Sequence, residues 1–236
     1  MAIEPQREAK VIEGIVLRRE VGTSGDVTAK LLLMQGAVIN VRSRAGGRAM
    51  GPRALDWLQH LVLTVRPGRG ARAWPEVAQA NLQGRLSRIE DFDRYTLAAL
   101  TCELALMIFP EVDDLEDASG DSAAFRLTAS LLRACSVAPD PGQAALPMLW
   151  RLLSYAGFGR NAHSKAPHGS EARSMLQAMH AGANLKELVA WPIPQTQRRA
   201  LWRELERHIA THLDRCESFQ VLYTALDLER GARMEA

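Results

Sequence analysis

The apolar residues of this chain change their spacing near residue 90, and this change constrains the fold more than any other feature. Before it, short strand-type runs are separated by turn residues such as Gly22 to Asp26 and Gln35-Gly36. After it, from Phe92 to Phe109, apolar residues recur at helical spacing. The sequence therefore predicts an α+β protein in which strands come first and helices follow.

Five short strands are predicted in the first part of the chain. They are Glu13–Arg19, Val27–Met34, Ala37–Arg44, Leu61–Val65 and Val77–Leu82. Five strands in about eighty residues fit a small β-barrel of the oligonucleotide-binding type, whose strand face and loops hold single strands. The predicted domains are a β-barrel over residues 1–83 and an α-helical domain over residues 84–236.

Helical spacing in the second domain predicts a bundle of several helices. The stretches are 92–109, 122–135, a helix from the turn at 139–142 to about 157, 171–180, 185–189 and 195–213. A loop-like segment, residues 158–170, lies between the third and fourth of these helices.

Arginines cluster in the predicted barrel. Seven arginines and a single acid, Asp56, occur between Arg42 and Arg72. Guanidinium groups on strands and loops suit phosphate oxygens and can stack on bases, so the cluster predicts a phosphate backbone as partner. The alternative is a solvated arginine-rich surface.

Charge is polarised along the sequence. Residues 1–80 hold twelve Lys or Arg against seven Asp or Glu, a local charge of +5, whereas residues 90–121 hold ten acids and only Arg94. A nucleic acid responds to local sign rather than to the total, which is +2. The pattern predicts that the first domain attracts nucleic acid.

Several other classes of protein are disfavoured. The longest apolar stretch, Leu97–Pro110, contains Glu103, and the polar N-terminus lacks the apolar core of a signal peptide, so we expect a cytoplasmic protein without a membrane span. The three cysteines, Cys102, Cys135 and Cys216, form no CxxC pair and are expected to be buried free thiols.

No catalytic or metal motif is complete. Gly22–Gly25 and Gly46-Gly47 lack the Gly-Lys-Ser/Thr of a nucleotide loop, and no Gly-x-Ser-x-Gly elbow occurs. His208 and His212 share a helix face but lack the glutamate of a His-Glu-x-x-His site, and the acidic run 113–117 lacks the ligand order of a calcium loop. We predict no enzyme activity, no metal and no cofactor.

Two further features bear on binding. The helix at 195–213 carries Arg198 and Arg199, which predict either a second nucleic-acid contact or the charged face of an amphipathic helix. Trp74, beside Arg72 and Pro75 in a predicted loop, is the tryptophan expected to be exposed and to stack on a base.

The order of six segments resembles the RecO family of bacterial recombination mediators, particularly the forms of the Deinococcus and Thermus lineage. They are EGIVLRR at 13–19, LLMQG at 32–36, YTLAALTCEL at 95–104, PDP at 139–141, LWRLLSYAG at 149–157 and RALWRELERHIATHL at 199–213. The resemblance spans nearly the whole chain, and its specificity lies in the shared order of these patterns.

The resemblance implies an oligonucleotide-binding barrel, a helical C-terminal domain and a non-catalytic function in DNA repair. That function is binding of single- and double-stranded DNA, annealing of complementary strands and loading of RecA recombinase with RecR. The family also contacts the acidic tail of single-stranded DNA-binding protein, and the implied location is cytoplasmic and nucleoid-associated.

Candidate site residues follow from this resemblance together with the charge pattern. The DNA-binding candidates are Arg18, Arg19, Lys30, Arg42, Arg44, Arg48, Arg53, Arg69, Arg72, Trp74, Arg198 and Arg199. Arg126, Arg133 and Arg151 are the candidates for a pocket that receives an acidic partner peptide.

The chain departs from the family pattern in two places. Many members carry a four-cysteine zinc module where residues 158–170 here contain no cysteine, so we expect zinc to be absent. Basic residues often follow the Gln-Gly turn, where this chain has Ala37 to Asn40. Either DNA contact moves on to Arg42, Arg44 and the glycine-rich loop, or the chain is a divergent paralogue with weakened binding.

The leading interpretation is a DNA-binding, strand-annealing repair factor whose affinity falls steeply with salt. The second is a scaffold that recruits repair partners through residues 111–121 or the helical surface, with weak or no DNA binding. An enzyme with an unrecognised site is third.

Overall fold

The computed structural model describes residues 8–44, 55–68, 73–86, 91–158, 187, 190, 193–214 and 216–226. Contacts divide the chain into two compact units. The sheet unit joins residues 1–86 to residues 109–126, and the helical unit joins residues 87–108 to residues 127–236. The predicted boundary after residue 83 lies near the first crossing, but the apolar pattern contains no sign that residues 109–126 return to the sheet.

The sheet unit contains the five predicted strands and one short additional strand. Their bounds are β1 Lys10–Val21, β2 Val27–Leu33, β3 Val38–Ser43, β4 Gln59–Arg66, β5 Glu76–Arg85 and β6 Glu111–Val112. β1 and β5 extend beyond the predicted runs because exposed and half-buried residues at their ends continue the pairing. β6 has only two residues and is not predicted by the sequence.

The pairings of the five long strands close in a ring. β1 pairs antiparallel with β2 and β4, β2 with β3, and β4 with β5. A parallel pairing of Arg42 with Glu76 joins β3 to β5 and closes the ring. This order is compatible with an oligonucleotide-binding fold followed by helices, so the predicted fold class is confirmed.

Alternating apolar residues fill the interior of the ring. In β4, Leu61, Leu63 and Val65 are buried, while the residues between them are half-buried. They pack with Val16 of β1 and Leu31 of β2 in one cluster. Full burial of each such side chain contributes about 1.5–3 kcal/mol, so the alternation holds the strands in one register.

The helical unit confirms the main predicted helices. Their bounds are α1 Phe92–Ile108, α2 Ala123–Val137, α3 Pro141–Leu153, α4 Gln195–His212 and α5 Ser218–Ala225, with a π-type turn at Ser154–Phe158. Most of α2, from Leu127 onward, belongs to this unit. The predicted helices at 171–180 and 185–189 lie outside the described residues, apart from Glu187. Among the described helices, none is both long and apolar enough to span a bilayer.

Polar contacts define the ends of these helices. Asp140 caps α3 by accepting a hydrogen bond from the Gln143 amide at 2.9 Å, and Pro141 follows at the first helical position. Arg94 of α1 donates to the carbonyl oxygens of Cys135, Ser136 and Ala138 at 2.8–3.0 Å, which satisfies the last turn of α2. The turn at 139–142 therefore begins α3 as predicted.

The short helix α5 depends on a carboxylate from α1. Glu103 accepts backbone hydrogen bonds from Glu217 at 2.7 Å and Ser218 at 3.0 Å, at the start of α5. Burial alone would raise the pKa of Glu103, but these bonds and side-chain bonds from Cys216 and Ser218 outweigh it and lower the pKa. Folding therefore favours the charged form of the Glu103 carboxyl group over its neutral form.

Replacing Gly36 by alanine is expected to destabilise the sheet unit by about 1–2 kcal/mol, because an L side chain is strained at its φ of +83°. The new Cβ would also lie 3.0 Å from the Asp121 carbonyl oxygen. Gly84→Ala is the control, since a Cβ there meets nothing within 4 Å. Urea unfolding of the two variants tests the difference, and equal stabilities would contradict this account of Gly36.

Glu103→Gln is expected to lower the free energy of unfolding at pH 7 and to make it less dependent on pH in the acid range. A lowered folded-state pKa contributes stability above the unfolded value of 4.5 and loses it as the pH falls through the folded pKa. The variant should therefore approach the wild type below pH 4.5. Thermal unfolding at pH 7 and at acid pH measures this, with Glu217→Gln as the exposed control at the same helix end.

Candidate nucleic-acid interface

Three neighbouring strands present a polar row on the outer surface of the sheet unit. Arg18 of β1 is paired with Lys30 of β2, which is paired with Asn40 of β3. Their neighbours along the strands, such as Ala29 and Leu31, point into the core. A second row on the same face, two residues away along each strand, consists of Glu20, Thr28 and Arg42.

A bulge in β1 sets this register. Val16 is paired with Leu31 and Arg18 with Lys30, so Leu17 is the extra residue and stays buried. Strict alternation would place Leu17, rather than Arg18, beside Lys30. After the bulge, regular alternation places the two adjacent arginines on opposite faces: Arg18 joins the outer row, whereas Arg19 is paired with Ala29 and its Nε atom is buried.

The polar rows line a groove of about 170 Å³. Its walls are formed by Arg18, Glu20, Thr28, Ala29, Lys30, Asn40, Trp74 and Glu111. Trp74, in the segment that precedes β5, is 44% exposed, as predicted for this tryptophan. Trp150 and Trp202 are fully buried in the helical unit. The groove therefore combines an accessible aromatic side chain with cationic and amide donors.

Acidic side chains accompany the described cations of this face. Lys30 Nζ lies 2.6 Å from Glu111 Oε2, and Arg18 Nη2 lies 2.9 Å from Glu20 Oε1. In the same way, Arg42 pairs with Asp26 and Arg44 pairs with Glu76. Exposed pairs of this kind contribute at most about 1 kcal/mol each, so a phosphate can compete for these cations.

The pKa values of two paired groups shift in the direction that keeps them charged. The hydrogen bond to Asp26, and then its negative charge, raise the pKa of Arg42. The hydrogen bond from Lys30 lowers the pKa of Glu111, with burial opposing and Asn40 assisting. This face of the sheet unit thus carries fixed charges of both signs at neutral pH.

The net charge of the sheet unit differs from the sequence-based expectation. Residues 1–86 contain thirteen Lys or Arg and seven acids, whereas residues 109–126 contain one Arg and six acids, which leaves +1 for the unit. The acidic segment is distant from the arginines along the chain but belongs to the same compact unit. Counting charge along the sequence overestimates the attraction of this unit for nucleic acid.

Four of the predicted DNA contacts, Arg48, Arg53, Arg69 and Arg72, lie outside the described residues. Arg198 and Arg199 are described and belong to the helical unit. Arg198 lies 2.8 Å from Asp140 and donates to the Gln143 side chain at 3.2 Å, so it joins α4 to the start of α3. Arg199 is half-buried on the same helix.

The three arginines of the predicted peptide pocket are divided between the units. Arg126 is exposed, donates a hydrogen bond to Ser122 and belongs to the sheet unit. Arg133 and Arg151 belong to the helical unit, where Arg133 is exposed and Arg151 is half-buried. A pocket formed by all three stays a prediction.

His208 and the cysteines of the helical unit are buried among structural neighbours. His208 is buried against Trp150, and its Nε2 atom lies 2.6 Å from the Phe158 carbonyl oxygen. The three cysteines are buried free thiols, which confirms that prediction. Within the described ranges, no group of three or more His, Cys, Asp or Glu is placed to hold a metal ion. The zinc prediction concerns residues 158–170, of which only Phe158 is described.

Sequence reasoning missed part of the groove. In the sequence, Asn40 marks only a departure from the basic pattern of the family, yet it extends the row that begins at Arg18. Its place opposite Lys30 follows from the β2–β3 turn and could have been read from the predicted hairpin. Glu111 had no such signal, because a two-residue strand after Pro110 shows no periodicity.

The fold and this surface define a protein with an oligonucleotide-binding-type sheet unit and a helical unit. Residues 89–175, in the second part of the chain, match the family model described as Recombination protein O C terminal. The match confirms the resemblance to the RecO family seen in the sequence and supports a role in recombination and repair. Comparison with curated proteins finds no significant match.

Arg198→Ala is expected to destabilise the helical unit by roughly 1 kcal/mol, because Asp140 and Gln143 lose their shared partner. Arg199→Ala, one residue along the same helix, should change stability less. Urea unfolding compares them. If Arg198→Ala leaves stability unchanged, the link between α4 and the cap of α3 is not important for folding.

Proposed function

We propose that this protein is a non-catalytic recombination mediator that binds DNA on the outer groove of its sheet unit. The binding of single and double strands, the annealing of complementary strands and the loading of recombinase are parts of the same proposal, drawn from the family. The observation that carries it is the groove in which Arg18, Lys30 and Asn40 lie beside the exposed Trp74.

The groove has the chemical groups that a single strand requires. Guanidinium and ammonium groups contact phosphate oxygens, and the Asn40 amide offers a donor and an acceptor to a base or sugar. Trp74 provides a stacking surface that any unpaired base can use, irrespective of its identity. Bases in a duplex are already stacked, so this part of the site favours single strands.

Charge compensation supports moderate affinity and a shallow salt dependence. When Lys30 exchanges Glu111 for a phosphate, the released carboxylate attracts a cation, which offsets the cation that leaves the DNA. The steep dependence predicted from the arginine cluster applies only to cations without an acidic partner. Any contribution from Arg48, Arg53, Arg69 and Arg72 would add to the dependence.

The proposed partners are single- and double-stranded DNA, RecR and single-stranded DNA-binding protein, in a cytoplasmic, nucleoid-associated setting. These partners come from the family resemblance. Arg133 and Arg151 would assist the capture of an acidic peptide tail by the helical unit. No catalytic residue, metal or cofactor takes part in this proposal.

A second candidate function is a scaffold that recruits repair proteins with little DNA binding. The net charge of +1 on the sheet unit favours it, because a nearly neutral unit gains little from long-range attraction to DNA. Pull-down with RecR and with single-stranded DNA-binding protein, in the absence of DNA, tests the scaffold function directly.

Trp74→Ala is expected to weaken binding of a labelled single-stranded oligonucleotide because one base loses its stacking partner. Loss of one stacked base costs about 1–3 kcal/mol, or roughly 5- to 150-fold in affinity. Duplex binding should weaken less. Fluorescence anisotropy at low salt measures both affinities.

Leu82→Ala is the control for Trp74→Ala, because Leu82 is an exposed apolar residue of the same unit outside the groove. Equal affinities for Trp74→Ala and the wild type would exclude stacking at this position. Failure of the wild type to bind any oligonucleotide at low salt would reject the DNA-binding function and leave the scaffold.

A further inference from the structure

We propose that Glu111 is an internal competitor of the nucleic-acid ligand: its carboxylate occupies the phosphate position between Lys30 and Asn40 and thereby lowers affinity. The inference rests on the proposed function and concerns the regulation of the same groove. It assigns to β6 a role beyond the completion of the sheet.

The contacts of Glu111 match those that a phosphate would make. One carboxylate oxygen lies 2.6 Å from Lys30 Nζ, and the other accepts a hydrogen bond from the Asn40 side chain. The two donors are paired neighbours in one row across β2 and β3. An anion with two oxygens in this position satisfies both donors at once.

The backbone holds this carboxylate in place. Glu111 is paired with Val38 and Val112 with Ile39, and the Val38 amide donates to the Pro110 carbonyl oxygen at 2.8 Å. The competitor is therefore part of the folded sheet and does not depend on a chance contact between long side chains. By contrast, Arg18 and Glu20 are both more than 60% exposed and lie two residues apart on one strand.

The exchange has a characteristic dependence on salt. Each cation that newly neutralises a phosphate of a single strand contributes about 0.7 to the slope of log affinity against log salt. When Lys30 binds a phosphate, the carboxylate of Glu111 loses its partner and attracts a cation. Lys30 therefore contributes little to this slope. Neutralising Glu111 should therefore increase both the affinity and the slope, a combination that distinguishes competition from a change in protein stability.

Glu111→Gln tests the inference, with Glu116→Gln as the matched control. Glu116 belongs to the same segment and pairs with Lys10 at 2.9 Å, but it is 77% exposed in its side chain and lies outside the groove. Both changes remove one negative charge from the sheet unit. Only the first removes the carboxylate from Lys30 and Asn40.

We expect Glu111→Gln to bind a labelled single strand about three- to fivefold more tightly than the wild type at low salt. Its salt slope should be steeper by about 0.7, while Glu116→Gln should resemble the wild type. Fluorescence anisotropy across a salt series gives both quantities, and thermal unfolding checks the fold. Glu111→Ala should change affinity in the same direction if the Gln variant is unstable.

Four outcomes would overturn the inference. Equal gains in Glu111→Gln and Glu116→Gln would show an effect of net charge alone, and weaker binding by Glu111→Gln would show that Glu111 positions Lys30 for the ligand. If the wild type binds and Glu111→Gln binds equally well, only the competition is rejected. If neither protein binds, the proposed function is rejected with it, whereas binding by the variant alone would support competition.

Discussion

The short pairing between β3 and β6 determines the electrostatic character of the sheet unit. Two residues, Glu111 and Val112, align with Val38 and Ile39 and bring an acidic segment back to the strands. This return reduces the charge of the unit to +1 and places a carboxylate in its groove. A protein with the same arginines but without this pairing would present a more positive surface to DNA.

Charge compensation extends over the whole outer face that carries the groove. Arg18, Lys30, Arg42 and Arg44 each face an acid, so a ligand must exchange existing ion pairs rather than neutralise bare cations. Such exchange would suit the proposed mediator function, in which DNA is bound and then released to another protein. The proposed stacking of a base on Trp74 would not involve this exchange, because an aromatic face attracts a base without the participation of counterions.

The strands and principal helices could be predicted because their apolar periodicity is local. Leu61, Leu63 and Val65 alternate, and the apolar residues of α1 recur every three or four positions. The exposed Trp74 was also predictable, from its Arg and Pro neighbours. The position of Glu111 in the groove, and the bulge that turns Arg18 rather than Leu17 outward, needed the register of the sheet. The short α5 was missed although Phe219 and Leu222 follow helical spacing.

The sequence by itself determined the class of fold, the order of the elements and the RecO-family resemblance, because each depends on patterns along the chain. Only the tertiary structure decided which charges meet. Ion pairs such as Lys30 with Glu111 join residues 81 positions apart, and their formation depends on strand register and on the return of a distant segment. Neither is encoded in local composition, so the positive first domain of the sequence is a nearly neutral unit in the folded protein.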